Sequence, residues 1–180
     1  AFMAAPLLEV SHDSSLVIDM CSAPGGKSAF AWAAIHPGLL IANEVIGKRL
    51  APLISNLKRC RIAPVRATNS DPSIFAELMR ATADLVIVDA PCSGQSLILK
   101  GEKPDSCFHP VTINKNAMRQ RRILANSAQS VAPGGFLAYM TCTFSIAENE
   151  EVISWFLKKH PHFAVVQVPA LQGYESNYSD

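Results

Sequence analysis

Two cysteines of this chain stand in settings that suit chemistry better than packing. Cys92 lies in Asp89-Ala90-Pro91-Cys92-Ser93-Gly94, directly after an apolar run, and Cys142 lies in Thr141-Cys142-Thr143-Phe144-Ser145. A free cysteine usually behaves as a small buried hydrophobe, but two thiols just past strand ends, each among turn residues, fit that role poorly. Such a thiol has a specific use. Carbon 5 of a pyrimidine is a poor nucleophile until a soft nucleophile adds at carbon 6 and pushes electron density onto carbon 5 as an enamine. Nitrogen methylation needs no covalent step, and its sites typically carry an Asn-Pro-Pro-Tyr-like turn where this chain has Asp-Ala-Pro-Cys. Asp89 could hydrogen-bond a cytosine amine or a protonated ring nitrogen and so stabilise the adduct. Cys142 precedes Ser145-Ile146-Ala147-Glu148, which reads as a capping box at a helix start whose N–H groups would favour thiolate. Cys60 and Cys107 lack such surroundings.

A second candidate centre is the run Asp19-Met20-Cys21-Ser22-Ala23-Pro24-Gly25-Gly26-Lys27-Ser28, a glycine-bearing loop entering a helix. Backbone N–H groups there can approach a nucleotide or a carboxylate. The dinucleotide pattern GxGxxG is absent. Gly26-Lys27-Ser28 matches the end of a phosphate-binding loop, with Cys21 where its first glycine should stand, and the strand run ending at Asp89 could pass for a Walker B site. Glu44 follows the next strand, where a carboxylate could accept both ribose hydroxyls of a nucleoside; a phosphate-loop NTPase has no use for it. Asp71 could accept from an adenine amine or simply cap the helix opened by Pro72.

These residues need a frame that brings strand ends together. Short β-branched runs alternate with helical patterns, the signature of βαβ units around a mostly parallel sheet. Strands are expected at Leu16–Asp19, Leu39–Asn43, Ala63–Ala67, Leu85–Asp89, Phe136–Met140 and Phe163–Val168. Helices are expected at Phe2–Leu8, Lys27–Ile35, Lys48–Arg61, Ser73–Ala81, Asn114–Val131 and Ile146–Lys159. Ala132-Pro133-Gly134-Gly135 reads as a stop before the fifth strand. Gly94–Ile113 has two prolines and no clear period, as expected of a functional lid or substrate loop.

Composition agrees with a globular α/β domain. The chain has 180 residues, 49% of them apolar and 17% charged, which excludes disorder and collagen-like repetition. No apolar run approaches the ~20 residues of a membrane span, and the expected location is cytoplasmic. Five cysteines without a CxxC pair argue against a disulfide framework and a zinc knuckle, so no metal is expected. Net charge is +1, so a polyanion partner would have to meet local basic groups. Lys115, Arg119 and Arg122 recur on one helix face, and Lys48, Lys58, Arg59, Arg61 and Arg66 crowd another region.

In their order and spacing, DMCSAPGGKS, ANE followed by Arg49, NSD, DAPCSG and TCTFSIAENE resemble the motifs of the Sun (Fmu) type RNA 5-methylcytosine methyltransferases. The resemblance implies a Rossmann-like class I methyltransferase of residues 1–168, dependent on S-adenosylmethionine, acting on carbon 5 of cytosine in rRNA or tRNA. It implies a cofactor loop of Cys21, Ala23, Pro24, Gly25, Gly26 and Lys27, with Glu44 on the ribose, Arg49 supporting it and Asp71 on adenine. Asp89 would lie between the methionine end and the target base. Cys142 would be the nucleophile and Cys92 would assist release; in DNA cytosine-C5 enzymes the Pro-Cys thiol is the nucleophile, so the second cysteine points to RNA. The family usually carries an N-terminal RNA-binding extension and a final strand with a GFF-like segment. Residues 169–180 are therefore expected to be a truncated tail, the final strand to be missing, and RNA recognition to lie outside this chain. A phosphate-loop NTPase and a catalytically idle RNA-binding module are the competing readings.

Overall fold

The computed structural model describes residues 10, 14–101 and 106–166. The helix expected at Phe2–Leu8 and the tail 169–180 lie outside the described residues. Five parallel strands form one sheet: β1 (Leu16–Asp19), β2 (Leu39–Asn43), β3 (Val65–Thr68), β4 (Ala83–Asp89) and β5 (Val131–Met140), in the order β3-β2-β1-β4-β5. The chain runs outward from β1 through β2 to β3, then returns to the far side of β1 for β4. That reversal between β1 and β4 opens a crevice at the carboxyl ends of the strands.

Among the described residues five α-helices cover the sheet: α1 (Gly26–Ile35), α2 (Leu50–Arg59), α3 (Pro72–Leu78), α4 (Pro110–Ala128) and α5 (Glu150–Lys159). Alternate strand residues face opposite layers. Val17, Leu40, Leu85 and Ile87 pack with Ala31, Ile35, Leu53 and Leu57 from α1 and α2. Ile18, Ile41, Val86 and Val88 pack with Phe75, Ala117, Leu124, Val152 and Phe156 from α3, α4 and α5. Burial on both faces explains why the strands read as continuous apolar runs, and each fully buried aliphatic side chain contributes about 1.5–3 kcal/mol.

Several boundaries differ from expectation for local reasons. β3 runs from Val65 to Thr68 rather than from Ala63; Pro64 has no N–H to give a ladder, although its carbonyl accepts from Leu40 N. α4 starts at Pro110 rather than Asn114, because His109 caps it through Nδ1, which accepts from Val111 N at 3.2 Å, with proline at the first helical position. The long segment from Gly94 is therefore shorter than a loop to Ile113, and its start is a 3₁₀ turn, Gln95–Lys100. Residues 102–105 of that segment lie outside the described residues. The expected helices over Lys48–Arg61 and Ile146–Lys159 each break into a 3₁₀ turn, Gly47–Arg49 and Ile146–Glu148, followed by α2 and α5. Residues 163–166 of the expected sixth strand carry no strand pairing.

The stop sequence before β5 lies inside the strand. β5 opens at Val131, with an irregularity where Ala83 pairs with Val131 and Leu85 with Phe136. Gly134 takes a left-handed φ of 78° there. At Gly135 an added Cβ would stand 2.9 Å from Ala83 O and 3.0 Å from Ala132 O and Asp84 O, all backbone atoms. Gly135→Ala should therefore lower unfolding stability by about 1–3 kcal/mol, read by urea denaturation; an unchanged midpoint would contradict this packing.

Asp19, at the end of β1, is fully buried, and burial lifts its carboxyl from 3.8 to about 6 against the opposing pull of the Ser28 hydroxyl and Cys21 N–H. Below 3.8 the group is protonated in folded and unfolded chains alike. As pH rises from 3.8 to about 6, the unfolded chain ionises first, so the stability this group contributes falls across that window. The uncharged Asp19→Asn should gain on the parent as pH rises through the same window in denaturation series; a pH-independent difference between the two would contradict it.

Candidate active site at the carboxyl edge of the sheet

The loop after β1 is held by its own side chains. Asp19 Oδ2 accepts from the Ser28 hydroxyl at 2.6 Å and Oδ1 from Cys21 N at 3.3 Å. Because Ser28 gives its proton to Asp19, the 2.5 Å contact between Ser22 and Ser28 hydroxyls has Ser22 as donor. Gly25 sits at φ 103° ahead of α1, a conformation that glycine takes without strain. Lys27 Nζ lies 2.5 Å from Asp89 Oδ2 across the β1–β4 crevice. A phosphate-binding loop would need this lysine on phosphates and this serine on a metal; here Lys27 pairs with Asp89 and Ser28 with Asp19. Burial, then the carboxylates of Asp19, Glu44 and Asp89, push the Cys21 thiol up to about 12, so it is a neutral wall of the loop.

Glu44, beyond β2, is 2% exposed. Its Oε1 accepts from Ile46 N at 2.8 Å, while Arg49 Nη1 lies 3.2 Å from Oε2 as an ion pair. Oε2 itself has no hydrogen-bond partner. Arg49 Nη2 also donates to Ala23 O at 2.7 Å, which ties the Glu44 carboxylate to the loop after β1. Asn43 locks the neighbouring turns: it donates to Met20 O and Ser70 O and accepts from Thr68 Oγ1 and Ser70 N. Asp71 caps α3 through Oδ1, which accepts from Ser73 N at 3.0 Å and Ser73 Oγ at 2.9 Å, and Oδ2 takes Arg122 at 3.3 Å. The Ser73 N–H, chiefly, holds its carboxyl below the ordinary value. The capping reading of Asp71 is thus present in full.

A buried carboxylate beside a glycine loop, with one oxygen ion-paired but accepting no hydrogen bond, suits a nucleoside with vicinal hydroxyls. Cys21, Ala23, Pro24, Gly25, Gly26, Lys27, Glu44, Arg49, Asp71 and Asp89 all lie at or just beyond the carboxyl ends of the strands. That geometry fits S-adenosylmethionine.

The thiols meet beside this crevice. Cys92 Sγ and Cys142 Sγ are 3.1 Å apart, and Cys142 N donates to Cys92 Sγ at 3.3 Å. Burial and the bond to Cys142 push the Cys92 thiol up to about 12, so Cys92 stays protonated near neutrality, whereas Cys142 is exposed. Two expectations fail here. Ser145 makes no side-chain cap, and the helix after Cys142 starts only at Glu150 with acidic Glu150 and Glu151 in its first turn. Its N-terminus therefore gives Cys142 no help. Glu148, the other half of the expected capping box, is fully buried, and its Oε2 accepts from Ser93 N at 2.9 Å and Gln120 Nε2 at 2.8 Å.

The supporting polar residues escaped sequence reasoning. Ser93 and Thr143 hydroxyls bond at 2.8 Å, and Gln95 Oε1 accepts from Phe144 N at 3.0 Å while its amide donates to Cys107 O. One signal for them existed. Gln120 stands in the core-facing stripe of α4 with Ala117, Ile123, Leu124 and Ser127, and a polar residue in an apolar stripe needs a buried partner.

The chain matches the family model described as 16S rRNA methyltransferase RsmB/F over residues 5–180. It is 31% identical over 169 residues to the ribosomal RNA small subunit methyltransferase F of Cronobacter sakazakii, covering 93% of this chain and 35% of that protein. The same enzyme of Shewanella amazonensis is 38% identical over 152 residues, covering 84% of this chain and 32% of that protein. The chain thus spans about a third of the length of these relatives. Among solved structures, NSun6 from Pyrococcus horikoshii with SFG has a TM-score of 0.74 at 30% identity, covering 88% of this chain and 40% of that one. TYW2 of M. jannaschii, in complex with AdoMet, shares the fold at a TM-score of 0.55 and 16% identity, covering 87% of this chain and 60% of that one. With a five-stranded parallel sheet, a glycine loop facing a buried carboxylate, and this match along nearly its whole length, the chain belongs to the RsmB/F family of rRNA methyltransferases, whose methyl donor is S-adenosylmethionine.

Proposed function

We propose that this domain methylates carbon 5 of cytosine in RNA, with small-subunit rRNA as the substrate class, through a covalent adduct on Cys142. One observation carries the reading: two reduced thiols 3.1 Å apart, one exposed and one held protonated, just past the ends of neighbouring parallel strands. A transfer to nitrogen or oxygen would need neither thiol. When bound, S-adenosylmethionine supplies an electrophilic methyl group; Glu44, Arg49 and the Cys21–Lys27 loop would hold its nucleoside, and Asp71 its adenine.

Cys142 acts first. Its thiolate adds to carbon 6, forming the Sγ–C6 bond and moving the ring π electrons toward carbon 5, so that carbon 5 becomes an enamine nucleophile. Asp89, held by Lys27 at 2.5 Å, would hydrogen-bond the cytosine amine or ring nitrogen as charge develops. After methylation a proton leaves carbon 5 to a base and the Sγ–C6 bond breaks, restoring the double bond. The proton from carbon 5 goes to a solvent base, and Cys92, a protonated thiol 3.1 Å from Cys142 Sγ, would give its hydrogen to the departing thiolate, a part in release rather than in the first attack. The exposed basic face of α4, with Lys115, Arg119 and Arg122, supports phosphate contacts.

For the cofactor, Glu44→Ala should weaken S-adenosylmethionine binding by about 1.5–3 kcal/mol, the scale of hydrogen bonds to a charged acceptor. Calorimetric titration checks it, and an unchanged affinity removes Glu44 from the site. For the chemistry, Cys142→Ala should abolish methyl transfer and the covalent RNA adduct together. Cys92→Ala should instead leave RNA trapped on Cys142 as a species that survives denaturing electrophoresis. An adduct that persists in Cys142→Ala and vanishes in Cys92→Ala would reverse the roles.

A further inference from the structure

The two cysteines are held in place by two consecutive residues, one for each thiol. Gln120 Nε2 donates to Pro91 O at 3.0 Å and to Glu148 Oε2 at 2.8 Å, while the same Oε2 accepts from Ser93 N at 2.9 Å. The carbonyl before Cys92 and the N–H after it are therefore fixed by one buried pair. Asn149 does the same for the other thiol: its Oδ1 accepts from Thr141 Oγ1 at 2.6 Å, and its Nδ2 donates to Thr143 O at 3.1 Å. Tyr139 ties the bracket to β5 by donating to Glu148 O at 2.7 Å.

Glu148 is a costly way to fill a core. It and Gln120 are both fully buried, and among the described residues no cation pairs with Glu148. An apolar residue of similar volume would stabilise the fold at least as well. What a carboxylate adds is one oxygen able to take two converging donors, from the Cys92 turn and from α4.

Resting on the reading of the thiols given above, we propose that Glu148 and Asn149 are positioning residues with separable roles. Glu148, through Gln120, sets Cys92 for release of the product, and Asn149 sets Cys142 for attack on carbon 6. Neither touches substrate. A displacement of about 1 Å at a reacting group costs up to about a hundredfold in rate, so loosening one bracket should slow one step and spare the other.

The test uses the full-length protein with deproteinised small-subunit rRNA and S-adenosylmethionine. Single-turnover methyl transfer and the fraction of RNA adduct on denaturing gels are followed for Glu148→Leu, Glu148→Gln, Gln120→Leu and Asn149→Leu. Glu148→Leu and Gln120→Leu should accumulate adduct, as loss of Cys92 does, with methyl transfer within about threefold of the parent. Glu148→Gln, which keeps an oxygen for Ser93 N, should restore release. Asn149→Leu should slow adduct formation by about tenfold or more without accumulation. A second readout needs no RNA: in a Cys60→Ser background, a reagent that fluoresces only on bridging two thiols should label each leucine variant more slowly than the parent. Single-thiol alkylation should stay intact. Equal bridging rates, or losses that follow thermal stability alone without dividing between the two steps, would overturn the assignment. A parent that forms no adduct but bridges readily, with slower bridging in the variants, would contradict the covalent reading while leaving the brackets standing.

Discussion

The parallel pairing of β4 with β5 is the constraint on which the site depends. Asp89 stands opposite Met140, and Ala90 N donates to Met140 O at 2.9 Å, so both strands end at the same level. Cys92 lies three residues beyond the end of β4 and Cys142 two beyond the end of β5, and their thiols meet. A slip of one residue would turn the side chains of β5 to the opposite face and would part the thiols. The irregularity at Gly134 and Gly135 lies at the far end of the same pair, where it absorbs the mismatch before the strands come into step.

Around that edge the interior is polar where a stability-driven core would be apolar. Asp19, Asn43, Glu44, Gln120 and Glu148 are all buried. Asp19 ties down the loop after β1, Asn43 joins the loops after β1 and β3, and Glu148 joins the Cys92 turn to α4, while Arg49 links Glu44 to the glycine loop and Lys27 links that loop to Asp89. Burying such groups is expensive unless every donor and acceptor is met, and one oxygen each of Glu44, Gln120 and Glu148 accepts no hydrogen bond. Below this edge the strands pack through aliphatic side chains on both faces, which leaves the loops above them to carry the chemistry.

Much of this was legible in the sequence because its signals are local. The runs at Leu16–Asp19 and Leu39–Asn43 gave their strand bounds directly, and Asp71-Pro72 marked a capped helix start that the structure reproduces. The matching signal at His109-Pro110 is weaker, since histidine is an uncommon cap, and the start of α4 expected at Asn114 therefore falls four residues late. Glu148 was misread for a deeper reason. A Ser-x-x-Glu pattern is a local cap only if the glutamate folds back on its own turn, and here Ser93 and Gln120, distant in sequence, took the carboxylate into the core. Long-range polar contacts of this kind have no periodicity to betray them.

The central claim is that methyl transfer goes to carbon 5 of a cytosine in RNA. Its most direct measurement is mass spectrometry of nucleosides from small-subunit rRNA incubated with the full-length protein and S-adenosylmethionine carrying an isotopically labelled methyl group. The account predicts label in 5-methylcytidine; label in N4-methylcytidine or in a methylated purine would contradict it.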